Sequence, residues 1–347
     1  MTATAPPPAT MPELERQVRQ SVPIEYVRQW LAVQPKRAYR ELALDWLIVL
    51  VGLVLVATIP SIWTYIAAFV LVGTSQYKLF ILAHDAIHGA LHPNRSLNDN
   101  LARWLVYGPM FMALEDARRN HLNHHRYMGT PDDPDRYLHT FAGKNSPLQF
   151  LLYCSGFATF GKTVLKVTPF GKLLDASNHN PQTPETQISS DRTSTPPTGS
   201  LLGEYFQQRI PVLLWQPLLI LAFLLSPLPV WAYLLLWVAP IFFLVFVPDE
   251  IRAFCDHAVL AYPDDTCDLK RLISFRPPWW EAQIFSPHHM NYHAEHHLWP
   301  SMPHYNLAKA HRLIRDRAEI TVRHSYLAFL WRVVRSLPLS QRTANSP

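Results

Sequence analysis

Charge is scarce in this sequence. Charged residues make up 16% of the chain against 49% hydrophobic, where a soluble domain carries about 25% charged. The shortage is concentrated: no charged side chain occurs from Trp46 to Tyr77 or from Ile210 to Val247. Such tracts exclude an ordinary soluble fold. A bilayer core takes about 20 helical residues to cross, so the second tract is about two spans long, with "SPLP" at Ser226 to Pro229 as its turn. The first divides likewise at Pro60 and Ser61, into helices from Leu42 to Ile59 and from Ile62 toward Lys78. Cysteine is nearly missing too: Cys154, Cys255 and Cys267 are an odd number without paired metal spacing, which points to free thiols in a reducing compartment rather than a disulfide framework. The N-terminus "MTATAPPPATMPELER" has neither a basic n-region nor an apolar h-region, so no cleavable signal is expected and the first span acts as its own insertion signal. No catalytic serine, nucleophilic cysteine, phosphate loop or nucleic-acid motif stands out.

The charge that is present is placed unevenly. The formal net charge is +5, and the basic residues gather at the ends of the apolar tracts (Lys36, Arg37, Arg40) and in the tail from Lys309 to Arg335. With both tracts folded as hairpins, every Lys and Arg lies on one side of the bilayer, which the positive-inside rule makes the cytoplasm. Residues 1–12 are expected to be disordered, completing with residues 13–41 a tail and an amphipathic interfacial helix that precede a single catalytic domain, 42–347. In that helix Val18, Val22, Ile24, Tyr26, Val27, Trp30 and Leu31 are the apolar contacts. The polar stretch 175–200 reads as a flexible insertion, and 307–335 as basic amphipathic surface helices. "LVYGPMFMAL" and the stretch from Phe150 to Leu165 suit buried or interfacial helices. Trp46, Tyr65, Trp215 and Trp237 read as interfacial anchors.

Against this background the 17 histidines are distributed in clusters. His84 and His88, in "HDAIH", stand four apart and share a helix face. His121, His124 and His125, in "HLNHH", stand at i, i+3 and i+4, and His293, His296 and His297, in "HAEHH", repeat that spacing. One such group arises easily by chance. Three together, two of them near the ends of membrane tracts where ionisable groups are costly without a role, point to metal. Eight imidazoles exceed the needs of one ion, so the site is dinuclear. All-imidazole ligation suits iron, copper, zinc or nickel and argues against magnesium or calcium. The groups can meet only if an even number of crossings separates them, which the Ile210 to Val247 hairpin supplies. His92, His288 and His289 are rival ligands; His139, His179, His304, His311 and His324 are assigned to surface or packing. Asp85, Glu295 and Asp256 each neighbour a proposed ligand and either orient an imidazole through its second nitrogen or face solvent.

"HDAIH", "NHLNHHRYMGTPDDPD" and "NYHAEHHLWPSMPHYNL" together resemble the three histidine boxes of the membrane fatty acid desaturase family, over about Lys78 to His311 apart from the polar insertion. The surroundings of the first two boxes are most similar to the bacterial branch that includes dihydrorhizobitoxine desaturase. The resemblance implies an all-α integral membrane protein with four transmembrane helices, as two hairpins, beneath a cytoplasmic helical cap that holds two irons almost entirely by histidine. It adds a ninth ligand, His257 in "RAFCDHAV", while the asparagine that some members place one turn earlier is here Ala253. The implied reaction is O2-dependent insertion of a double bond into a fatty acyl lipid or similar amphipathic molecule. No cytochrome b5 or ferredoxin module is fused, so electrons are expected from a separate carrier of one of those kinds, and the basic surface favours an acidic partner. A hydroxylase or ketolase of the same family, acting on a lipid or carotenoid, is the alternative. Metal transport is disfavoured because the tracts lack ionisable groups, and a dizinc hydrolase because the boxes lack carboxylate ligands.

Overall fold

Hydrocarbon offers no water to backbone N–H and C=O groups, so a segment that enters it must pair them internally, and the charge-free tracts do so as helices. The structure, a computed structural model, describes residues 11–128, 130, 132–168, 201–261 and 271–338. The tail before residue 11, the insertion 175–200 with His179, and Cys267 lie outside the described residues. Helices Pro35–Thr58, Ile62–Ile87 and Trp231–His257 are long and apolar enough to cross a membrane, and Ile210–Leu225 is apolar but shorter. Pro35–Thr58 and Ile62–Ile87 pack along each other. Between them Ser61 forms a capping box with Thr64, accepting from its backbone N at 3.2 Å while Ser61 N donates to Thr64 Oγ1 at 2.9 Å.

Both of these helices overrun the apolar tract. They carry Glu41 and Asp45 on the first, and His84 and Asp85 on the second, of which Asp45, His84 and Asp85 are buried within the protein. The helix bounds expected at Leu42 and Lys78 are therefore each displaced outward, because internal partners permit charge beyond the apolar run.

Close approach of the apolar helices depends on small residues. A Cβ on Gly73 would stand 2.5 Å from Leu244 Cδ1 and 2.8 Å from Leu244 Cβ. Gly73→Val is therefore expected to destabilise the protein by about 1–3 kcal/mol through overpacking. Thermal unfolding in detergent checks this, and Leu244→Ala in the same chain should recover part of the loss.

The tryptophans expected as interfacial anchors turn inward. Trp237 is buried, Trp46 stacks on both Trp215 and Trp237, and the two indoles donate to Leu105 O at 2.9 Å and Pro109 O at 3.0 Å. With Gln216, which donates to Gly108 O and Pro109 O, they satisfy carbonyls of an irregular segment. That segment is the expected "LVYGPMFMAL" helix. It is a π-helical turn, Arg103–Tyr107, followed by turns, with Phe111 at positive φ. The stretch from Phe150 is two helices, Pro147–Cys154 and Phe157–Val167, broken at Gly156.

At the histidine-bearing end the expected N-terminal amphipathic helix is two, Met11–Gln20 and Ile24–Trp30, interrupted at Pro23. Val18, Val22, Val27 and Trp30 pack into the protein's own core against Leu298, Trp299 and Leu307, whereas Ile24, Tyr26 and Leu31 are exposed. The C-terminal stretch is likewise part of the core on one face: Leu307, Ala310 and Ile314 of His304–Ile314, and Phe329 and Val333 of Tyr326–Ser336, are buried. One feature departs from an all-α chain: Ile273–Phe275 pairs in parallel with Thr321–Arg323, holding the last helix beside Phe254 and Phe275. Cys154 and Cys255 are free.

Candidate metal centre

The first histidine pair sits where its helix ends. His88 is the C-cap and Gly89 follows at φ +72°, with Ala90 N donating to Asp85 O at 2.9 Å and Gly89 N to Ala86 O at 3.1 Å. These two bonds are the Schellman arrangement, which needs a left-handed residue such as glycine. The helix therefore stops before His92. His92 Nδ1 instead accepts from Asn94 N, outside the histidine clusters. Arg118 fastens this end by donating to the carbonyls of Ala86 and Ile87 and to both oxygens of Asp99.

The second and third groups lie on helices Leu114–Tyr127 and His293–Leu298. Each divides its histidines between two clusters. His121 and His125 join His84, His88 and His296: His84 and His121 Nε2 are 2.8 Å apart, His125 and His121 Nε2 3.0 Å, and His125 and His296 Nε2 2.9 Å. His88 Nε2 is buried without a hydrogen-bond partner beside them. In the other cluster His293 Nε2 lies 2.8 Å from His257 Nε2 and 3.0 Å from His297 Nε2, with His124 adjacent. The clusters adjoin, the rings of His125 and His297 standing 4.3 Å apart. So the i and i+4 members of each HxxHH serve one cluster and the i+3 member crosses to the other. At 100° per residue, i+3 and i+4 diverge by roughly 100° about the helix axis, which is what lets one helix reach two positions. The structure thus brings together all nine residues singled out in the sequence: His84, His88, His121, His124, His125, His257, His293, His296 and His297.

Chemically these clusters suit a cation. Burial, reinforced by neighbouring imidazoles, pushes His121, His125, His293, His296 and His297 well below the ordinary histidine range, so they are neutral at physiological pH. A neutral imidazole has one N–H, and nitrogens converging in this number cannot all be satisfied by sharing those protons. Ligand nitrogens about 2.0–2.1 Å from a metal stand roughly 2.9–3.3 Å from one another, close to the separations observed. The clusters are able to hold metal ions.

The supporting residues differ from those expected. Asp85 and Glu295 do orient imidazoles, but those of His304 (2.8 Å) and His311 (2.8 Å), two buried residues with specific partners rather than surface positions. Asp256 is held by Arg252 at 3.0 Å and stands 3.7 Å from His293 Nδ1. The carboxylate that does fix a cluster histidine is Asp133, missed in the sequence: its oxygens lie 3.0 and 3.2 Å from His124 Nδ1. His139, also buried, lies 3.6 Å from the same carboxylate, with its ring 4.1 Å from that of His257. The available signal was the "TPDDPD" run directly after the second box. His324 and His289 are exposed.

Three apolar helices of spanning length thus stand beside two adjoining all-histidine clusters able to hold metal ions. The family model for fatty acid desaturases matches residues 60–329, and the chain belongs to that family. Among curated relatives it is 42% identical over 64 residues to a beta-carotene ketolase of Paracoccus sp. (strain PC1), covering 16% of this chain and 24% of that protein. It is 38% identical over 77 residues to the dihydrorhizobitoxine desaturase of Bradyrhizobium elkanii, covering 22% of each. The matches thus span about a quarter or less of these relatives.

Proposed function

We propose that this protein is an O2-dependent desaturase of a fatty acyl chain or a similarly amphipathic molecule, acting at two irons held by the nine clustered histidines. The convergence of two neutral imidazole clusters on adjoining points, beside apolar helices, carries this reading. The first ion would take His84, His88, His121, His125 and His296, and the second His124, His257, His293 and His297. The same reading makes Ile210–Leu225 a fourth, short span, arranges the spans as two hairpins, and sets the histidine-bearing end on the cytoplasmic side, where the flanking basic residues lie.

Irons so held, given O2 and two electrons, supply an oxidant strong enough to take hydrogen from an unactivated C–H bond. The net change removes two hydrogens from adjacent carbons and, with two electrons, two protons and O2, releases two waters and leaves a C=C bond. The protein's part is positional. Asp133 fixes the His124 tautomer with Nε2 toward the cluster, the buried second cluster excludes water, and the depressed basicity of the imidazoles keeps their lone pairs available to metal. The electrons would come from a ferredoxin or cytochrome b5-like protein docking on the basic end.

Oxygen transfer to carbon is the second reading, favoured by the ketolase match. Expression in a host that makes candidate lipids and carotenoids, with and without this chain, tests both. A new olefin supports desaturation; an alcohol or ketone without olefin replaces it with hydroxylation or ketolation.

A further inference from the structure

Outside the histidine clusters a second concentration of ligating groups lies between the first apolar helix and the two segments that flank the third box, His288 before it and His304 after it. Glu41 and Asp45 stand one turn apart on Pro35–Thr58, and facing them are His288 and His304. Glu41 Oε2 lies 3.2 Å from His304 Nε2, and Asp45 Oδ2 lies 3.5 Å from His288 Nε2. Each of these four atoms is buried and has no hydrogen-bond partner. The His304 side chain is only 2% exposed and that of Asp45 only 6%. Four buried polar atoms met only by ion pairs at 3.2 and 3.5 Å are unusual so near one another, because a buried polar group without a good hydrogen bond costs about 1–3 kcal/mol.

The opposite ends of the Glu41 and His304 side chains are engaged. Arg37 Nε donates to the other Glu41 oxygen at 2.9 Å. His304 Nδ1 pairs with Asp85 Oδ2 at 2.8 Å, and the same oxygen accepts from His304 N at 3.0 Å. This leaves His304 Nε2 and Glu41 Oε2 aimed into the gap. A carboxylate on the far nitrogen of an imidazole is the arrangement that orients histidines toward metals. A metal that displaced the His304 proton would meet the three carboxylates of Glu41, Asp45 and Asp85 against the single Arg37 guanidinium, a balance of about −2 that one divalent cation offsets.

We propose that Glu41, His288 and His304, with Asp45 as a fourth donor, form a further cation site for a divalent transition metal such as zinc, separate from the histidine clusters. Ligand atoms of a tetrahedral zinc, about 2.0–2.1 Å from the metal, stand roughly 3.3 Å apart; Glu41 and His304 stand at 3.2 Å, and ligand atoms of Glu41, His288 and His304 all lie within 4.8 Å of one another. The mixed nitrogen and carboxylate set differs from the all-imidazole clusters and suits zinc, manganese or ferrous iron. Such an ion would tie the first apolar helix to the segment that carries the third box. The rival arrangement is a metal-free ion-pair network in which His304 keeps its proton. Burial, which disfavours the imidazolium, is outweighed at His304 by Asp85 and Glu41, and its proton is held to about pH 9. A metal must displace that proton.

The test compares metal content per full-length chain, purified in detergent and equilibrated with ZnCl2, for the wild type, His288→Gln, Asp45→Asn and His296→Ala. The expected result is one equivalent fewer in His288→Gln, reduced occupancy in Asp45→Asn, and an additive loss when His288→Gln is combined with His296→Ala. Because it is a difference, the result holds however many ions the histidine clusters carry. Equal metal content in the wild type, His288→Gln and Asp45→Asn overturns the proposal in favour of the ion-pair network. Should neither variant yield folded protein, anomalous scattering from zinc-soaked wild-type crystals decides: a peak among Glu41, His288 and His304 supports the site, and its absence overturns it.

Discussion

His296→Ala and His257→Ala are each expected to reduce product formation to background and to remove iron from the purified protein, whereas His92→Ala leaves both unchanged. The two variants strike different clusters. His296 Nε2 stands 2.9 Å from His125 Nε2 and 3.4 Å from that of His121, in the cluster built on the first box. His257 Nε2 stands 2.8 Å from His293 Nε2 in the other. A metal acting as the oxidising centre is worth several kcal/mol of transition-state stabilisation, so losing it costs on the order of 10³-fold or more in rate. His92 is the matched control, because it too stands four residues from a clustered histidine yet lies beyond the glycine that ends the helix. Quantifying oxidised product in an expressing host, alongside iron per chain, checks all three. Full turnover and full iron in both cluster variants would sink the assignment of these residues as ligands.

That contrast also marks how far the sequence could be read. Charge-free tracts announce themselves, since hydrocarbon imposes one rule on every residue of a span, and the helices they form lie where the tracts do. The i, i+3, i+4 spacing likewise announces clustered histidines. The division of each HxxHH between two clusters was not legible, because it depends on how the Leu114–Tyr127 and His293–Leu298 helices are rotated against their neighbours. The place of His92, a rival ligand by spacing, is decided by Gly89, which ends the helix before it by accommodating positive φ. The roles of His304 and His311 were hidden for another reason. Their partners, Asp85 and Glu295, lie 219 and 16 residues away in the chain, and nothing in local spacing links them. Trp46 and Trp237 were mistaken for lipid-facing anchors because an indole that caps a backbone carbonyl inside the protein has the same sequence context as one at a headgroup.

Asp133→Asn should lower turnover by about 10–100-fold while changing the substrate KM little. Asp133 acts on the cluster through another side chain. It holds His124, with carboxylate oxygens 3.0 and 3.2 Å from Nδ1, and one of those oxygens also accepts from Asp135 N at 2.9 Å, which locks the carboxylate itself. An amide in its place keeps the volume but loses the charge and turns one acceptor into a donor, so His124 can no longer present Nε2 with the same tautomer and basicity. A purely structural role would instead show as a lower melting temperature with unchanged turnover per folded molecule. Measuring kcat and KM together with iron retained under a competing chelator separates the two: loss of kcat and faster loss of iron at an unchanged melting temperature is the expected pattern. Asp132→Asn, one residue earlier and exposed, should have no effect on any of the three, since its carboxylate faces solvent rather than the imidazole that Asp133 fixes.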